Sequence, residues 1–71
     1  MSKYIPMIMD ILDEKEIKST NEILKKLEER SGKTINWHYI YHILMKLKEN
    51  GEIERYKANA GFFWRKRKAR E

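Results

Sequence analysis

Seventy-one residues make one small domain, whose single core leaves roughly 3–5 kcal/mol of net stability when no staple is added. The absence of cysteine excludes a disulfide framework and a thiolate metal site, so packing has to hold the fold. Charged residues at 38% beside hydrophobic ones at 41% exclude a disordered chain, and a net charge of +5 points toward an anionic partner such as nucleic acid.

Tyr4 to Leu12 is predicted as a first helix, because Tyr4, Ile5, Ile8, Ile11 and Leu12 recur along one apolar stripe. Pro6 falls in its first turn, where a missing N–H leaves no bond unmade. Asp13-Glu14-Lys15 exits into Glu16-Ile17-Lys18, a minor strand in which only Ile17 needs burial. Ser19 is then placed as an N-cap, with Glu22 three residues on to complete a capping box. Ile23, Leu24 and Leu27 form the narrow apolar stripe of a second helix, while Lys25, Lys26, Glu28, Glu29 and Arg30 face water. Ser31-Gly32-Lys33-Thr34 breaks it, with Gly32 as the left-handed residue. Ile35 tucks inward, and either Thr34 or Asn36 caps a third helix.

The third helix is the most strongly patterned stretch. Ile40, Ile43, Leu44 and Leu47 fall at i, i+3, i+4 and i+7, and Gly51 closes its last turn in a left-handed conformation. His38, Tyr41, His42 and Met45 occupy the opposite face, with Tyr39 and Lys46 on its flank. Trp37 lies beside the apolar stripe and is expected to pack against the preceding turn. After Gly51 the period becomes two. Glu52 to Lys57 and Phe62 to Lys66 alternate around Ala58-Asn59-Ala60-Gly61, which reads as a hairpin, with Trp64 and Phe62 anchoring it on the helices. Residues 1–66 form the expected domain and 67–71 a basic, flexible tail. Residues 51–71 hold seven basic side chains against three acidic ones, so most of the positive excess lies beyond the third helix.

The expected fold class is therefore α+β, mostly α: three helices with a C-terminal β-hairpin. In order and spacing the chain resembles the winged helix-turn-helix family of DNA-binding proteins, in particular its small single-domain archaeal or viral type. The resemblance is carried by Ile40, Leu44, Leu47, Gly51 and Ile53, in an apolar-x-x-x-Leu-x-x-Leu-x-x-x-Gly-x-Ile pattern, and spans about residues 5–66. It implies a recognition helix in the major groove of double-stranded DNA and a wing on the flanking backbone or minor groove, as in a transcription regulator.

On that reading Asn36, His38, Tyr39, Tyr41, His42 and Met45 are the candidate groove contacts. Lys33 before the helix and Lys46 on its flank are placed near the DNA. Lys57, Asn59, Arg65, Lys66, Arg67, Lys68 and Arg70 belong to the wing and tail, where cations neutralise phosphates and carry little sequence information. One departure stands out. Residues 35–45 contain no Arg or Lys, so the commonest guanine contact is missing from the leading half of the helix. Selectivity is then expected from weaker contacts or from DNA shape.

Two other readings are kept. One is a protein-interaction module docking onto a transcription or replication complex, motivated by Tyr39, Tyr41 and Met45 on the exposed helix face. The other is single-stranded nucleic acid or RNA binding, by stacking on Phe63 and Trp64. A homodimer on paired half-sites is also expected of so small a reader. His38 and His42 share a helical face at i and i+4, yet no third ligand stands near them, so no metal or other cofactor is expected. No catalytic constellation can be read from the spacing, and no enzyme activity is expected. Neither a membrane span nor a signal-peptide core is visible, which makes the cytoplasm the default location.

Overall fold

The computed structural model describes residues 3–68. Three helices, α1 (Tyr4–Ile11), α2 (Thr20–Ser31) and α3 (Trp37–Glu49), and three strands, β1 (Lys18–Ser19), β2 (Ile53–Ala58) and β3 (Gly61–Lys66), follow in the order α1-β1-α2-α3-β2-β3. The class is α+β, mostly α, and the helix order followed by a hairpin matches a winged-helix layout. Among the described residues no helix is long and apolar enough to cross a membrane.

Each end of α2 and α3 is accounted for by a side chain or a glycine. Ser19 Oγ accepts the backbone N–H of Glu22 at 3.1 Å and so caps α2. Gly32, at φ +70, ends that helix. The turn into α3 is held from behind, where Glu28 Oε2 accepts the Ile35 N–H at 2.9 Å. Of Thr34 and Asn36, the cap used is Asn36: its Oδ1 accepts the Tyr39 N–H at 3.2 Å. At the far end of α3, Gly51 stands at φ +80. Its N–H bonds Lys48 C=O at 2.9 Å, and the Glu52 N–H bonds Leu47 C=O at 3.0 Å. That pair of bonds is a Schellman closure, which requires a left-handed residue at Gly51.

The sheet is antiparallel in the order β1-β3-β2, with β3 central. The hairpin register pairs Ala58 with Gly61, leaving Asn59-Ala60 as a two-residue turn. Arg55 pairs with Trp64 and Lys57 with Phe62, so these four share one face of the hairpin. Glu54, Tyr56, Phe63 and Arg65 share the other. Trp64 is wholly buried, which fixes the first set as the helix-facing one.

Tyr4, Ile8, Ile11, Ile23, Leu27, Ile40, Ile43, Leu44, Leu47, Ile53 and Trp64 form a single core, joined by Leu12 and Ile35. Burying each aliphatic side chain of this kind contributes about 1.5–3 kcal/mol. Trp64 is the anchor expected of it, and Ile35 is tucked in as expected. Ile17 corrects the reading of the first strand. The strand is Lys18–Ser19, later than expected, and Ile17 remains 48% exposed. Thr20 goes inward at this point instead, because its hydroxyl meets the Trp64 indole.

Candidate nucleic-acid interface

Four core residues hold one side of α3 against α1, α2 and the sheet, which leaves the remaining side chains in three strips. His38, His42 and Glu49 point straight outward and are exposed. Tyr39 and Lys46 lie on the flank toward α1, where the Tyr39 ring meets Tyr4 edge-on with centroids 6.1 Å apart. Trp37, Tyr41 and Met45, spaced four apart, lie on the flank that the hairpin covers.

That third strip is where the structure departs from the reading of the sequence. Tyr41 and Met45 do not face outward; both are half-buried and packed against the core. The Tyr41 ring stacks on Trp37 at 5.2 Å, nearly parallel, and meets Trp64 edge-on at 5.9 Å. Phe62 of the hairpin lies 5.7 Å from the same ring. The cause is the hairpin itself, which comes down on the helix side about 100° from the core stripe and covers residues that a helical wheel leaves open. Trp37 is accordingly half-buried, with His38 edge-on to it at 5.3 Å.

Arg55 completes this junction and was not among the candidates. From the helix-facing side of β2 its Nη1 donates to the Tyr41 hydroxyl at 3.1 Å and to Met45 Sδ at 3.3 Å. Its guanidinium carbon sits 4.7 Å from the centre of the Phe62 ring. The available signal was strand parity: Ile53 faces the core, so Arg55, two residues on, faces the helix.

The wing cations divide into two kinds. Arg65, on the far face of the sheet, is half-buried and committed. Its Nη2 donates to Glu54 Oε1 at 2.9 Å and to the Tyr56 hydroxyl at 2.6 Å, and Tyr56 donates to the same carboxylate at 2.5 Å. The Tyr56 hydroxyl first, and the Arg65 guanidinium next, hold the Glu54 carboxyl below the usual carboxylate range. Arg65, expected among the wing's phosphate contacts, has its charge matched within the hairpin, because the register places Glu54 directly across from it. Lys57 is exposed along the strand and Asn59 is exposed at the turn. Lys33 is exposed in the turn before α3. Asn36 has its side-chain oxygen engaged in the cap and is otherwise exposed.

At the end of the hairpin, Lys66 donates its N–H to Asp13 C=O at 2.9 Å and Arg67 to Glu52 C=O at 3.0 Å. Arg67, expected in the tail, thus still continues the strand pairing. Arg67 and Lys68 are exposed; Arg70 and the rest of the tail from 69 to 71 lie outside the described residues. The stacking platform expected of Phe63 and Trp64 is not formed. Trp64 is completely buried with its N–H bonded inside, and Phe63 lies on the opposite face of the strand. Among the described residues no group of three or more His, Asp or Glu side chains is placed to hold a metal ion. Comparison with models of known families, with curated proteins and with solved structures finds no match.

Proposed function

We propose that this chain is a small winged helix-turn-helix protein that binds double-stranded DNA and serves in transcription regulation. α3 enters the major groove with its His38–His42 strip, and the hairpin lies along the adjoining backbone or minor groove. One observation carries the reading. A helix capped at both ends leaves an outward strip of hydrogen-bonding side chains uncovered, and a hairpin with exposed Lys57 and Asn59 is fastened along its flank. A major groove about 12 Å wide admits a single helix in this way, while cations beside it meet the phosphates. The charge distribution agrees, since the basic excess is concentrated in the hairpin and the segment after it.

The test is to measure affinity for duplex and for single-stranded oligonucleotides at two salt concentrations. The wild-type chain, His42→Ala, and a full-length form with Lys66, Lys68 and Arg67 changed to Gln are compared. DNA reading by α3 requires a loss on His42→Ala that varies with duplex sequence, whereas the neutralised form weakens every duplex alike. Equal affinity of all three for duplex discards the reading.

The interaction-module alternative keeps Tyr39 of the three residues the sequence suggested and gains others elsewhere. Tyr41 and Met45 are half-buried under the hairpin, while Tyr39 stays exposed on the flank of α3 and is joined by Ile17 before β1 and Tyr56 on the far face of the sheet. Loss of duplex binding in Ile17→Ser or Tyr56→Ser would place those side chains at the DNA instead and remove them from this alternative.

A further inference from the structure

Arg55 is the described wing cation whose environment calls for an anion. It is half-buried, yet among the described residues it has no carboxylate within ion-pair distance. Its contacts are all neutral: a hydroxyl, a thioether and an aromatic face. Such contacts hold a guanidinium in place without cancelling its charge, and an unmatched charge drawn partly out of water is a costly arrangement. Arg65, one strand over, shows the contrast, because Glu54 neutralises it. Both bonds of Arg55 leave from Nη1. Three of the five guanidinium N–H groups, on Nε and Nη2, therefore keep an acceptor's place open. The Tyr41 hydroxyl, which accepts from Arg55, likewise retains its own proton to donate.

We infer that Arg55 and the Tyr41 hydroxyl together hold a backbone phosphate of duplex DNA in the crease between α3 and the hairpin. The inference rests on the duplex-binding reading above and names the contact that fastens helix and wing to the same strand. A planar guanidinium suits a phosphate because two parallel N–H groups meet two oxygens. Phe62 and Met45 act as positioning residues, since they hold the planar group before DNA arrives and so reduce the freedom lost on binding. A phosphate is favoured over a base because the guanidinium sits on the strand-side flank of α3. The outward strip of His38 and His42 lies further round the helix.

The experiment compares wild type, Arg55→Met and Arg55→Lys on several duplexes, with affinity measured across a salt series and melting temperature measured for each chain. Arg55→Met keeps the packing on Phe62 and Met45 and removes the charge. It is expected to bind every duplex more weakly, with the slope of log affinity against log salt smaller by about 0.9. The wild-type advantage then shrinks about threefold between roughly 50 and 200 mM salt. Arg55→Lys keeps a charge in place and is expected to retain the wild-type slope with part of the lost affinity. Because Arg55→Lys also reports on the crease, it decides the matter where Arg55→Met melts early: a reduced slope in a folded Arg55→Lys overturns the inference. So does an unchanged slope in a folded Arg55→Met, or a loss confined to guanine-containing sites, which makes Arg55 a base reader. Wild-type chain that binds no duplex removes the functional reading and this contact with it. Wild-type binding unaltered in Arg55→Met removes this contact alone.

Discussion

The indole N–H of Trp64 donates to the Thr20 hydroxyl at 2.8 Å, and that hydroxyl donates in turn to the Phe62 carbonyl at 3.2 Å. Trp64 is fully buried and Thr20 nearly so. The two bonds join the start of α2 to the central strand and satisfy the polar edge of the largest side chain in the core.

Thr20→Val keeps the shape and removes the hydroxyl, leaving a buried indole N–H without an acceptor. The expected cost is about 1–3 kcal/mol, a large share of what a domain this small commands. Urea unfolding should show the midpoint fall at constant slope, and Thr20→Ser should recover most of it. A Thr20→Val midpoint equal to wild type would show that the bond contributes nothing net.

Gly51 stands at φ +80 and closes α3. An added Cβ there meets only Arg67 Nη1 at 3.3 Å, the free end of a flexible side chain that can swing away. The penalty of Gly51→Ala therefore comes from the backbone and is expected at about 1–2 kcal/mol. Gly51→Asn should cost less, since asparagine tolerates the left-handed region better. Chemical denaturation of the three chains side by side checks the order, and an Ala variant as stable as Gly contradicts it.

These two features show what was legible. The core of α3 declared itself because four aliphatic residues fall on one stripe, and its ends because Asn36 and Gly51 have specific backbone uses. The hairpin was visible from the change of period after Gly51. What a single helix pattern does not contain is the direction from which another element arrives. Tyr41 and Met45 are not core residues by period, and only the approach of the hairpin covers them. The Glu54–Arg65 pair depends in the same way on register, where a slip of one residue moves a side chain to the opposite face. Ile17 misled because its alternation with charged neighbours suits a strand, while the pairing with β3 begins one residue later.

A small part of the loss of stability at the acid end, discounted because this carboxylate is solvent-screened, should come from Glu54. The Tyr56 hydroxyl and Arg65 favour the ionised carboxylate in the folded chain, so its folded value is depressed. A depressed carboxylate contributes stability above its unfolded value, about 4.3, and loses that contribution as pH falls through the folded value. Asp10 behaves alike, through its bond to Arg30 and the charge of that guanidinium. Wild-type urea midpoints are expected to decline below about pH 4, and Glu54→Gln to decline less steeply over the same interval. Parallel curves for the two chains would remove Glu54 from the acid response.

The division of the wing cations makes a last prediction about DNA. Lys57 is exposed and, among the described residues, makes no ion pair. If the proposed duplex binding holds, Lys57→Ala should release one phosphate contact and reduce the salt slope by about 0.9. Arg65 is matched by Glu54 across the strand pair, and its guanidinium also lies 5.2 Å from the Tyr56 ring centre. Removing both members together, as Glu54→Gln with Arg65→Gln, leaves the net charge unchanged and is expected to leave the slope near the wild-type value. A surface pair of this kind contributes little to stability, because water and salt screen it, so the double variant should still fold. Fluorescence anisotropy of a labelled duplex across a salt series measures both slopes. A slope that drops as far in the double variant as in Lys57→Ala would show that Arg65 abandons Glu54 for the DNA backbone.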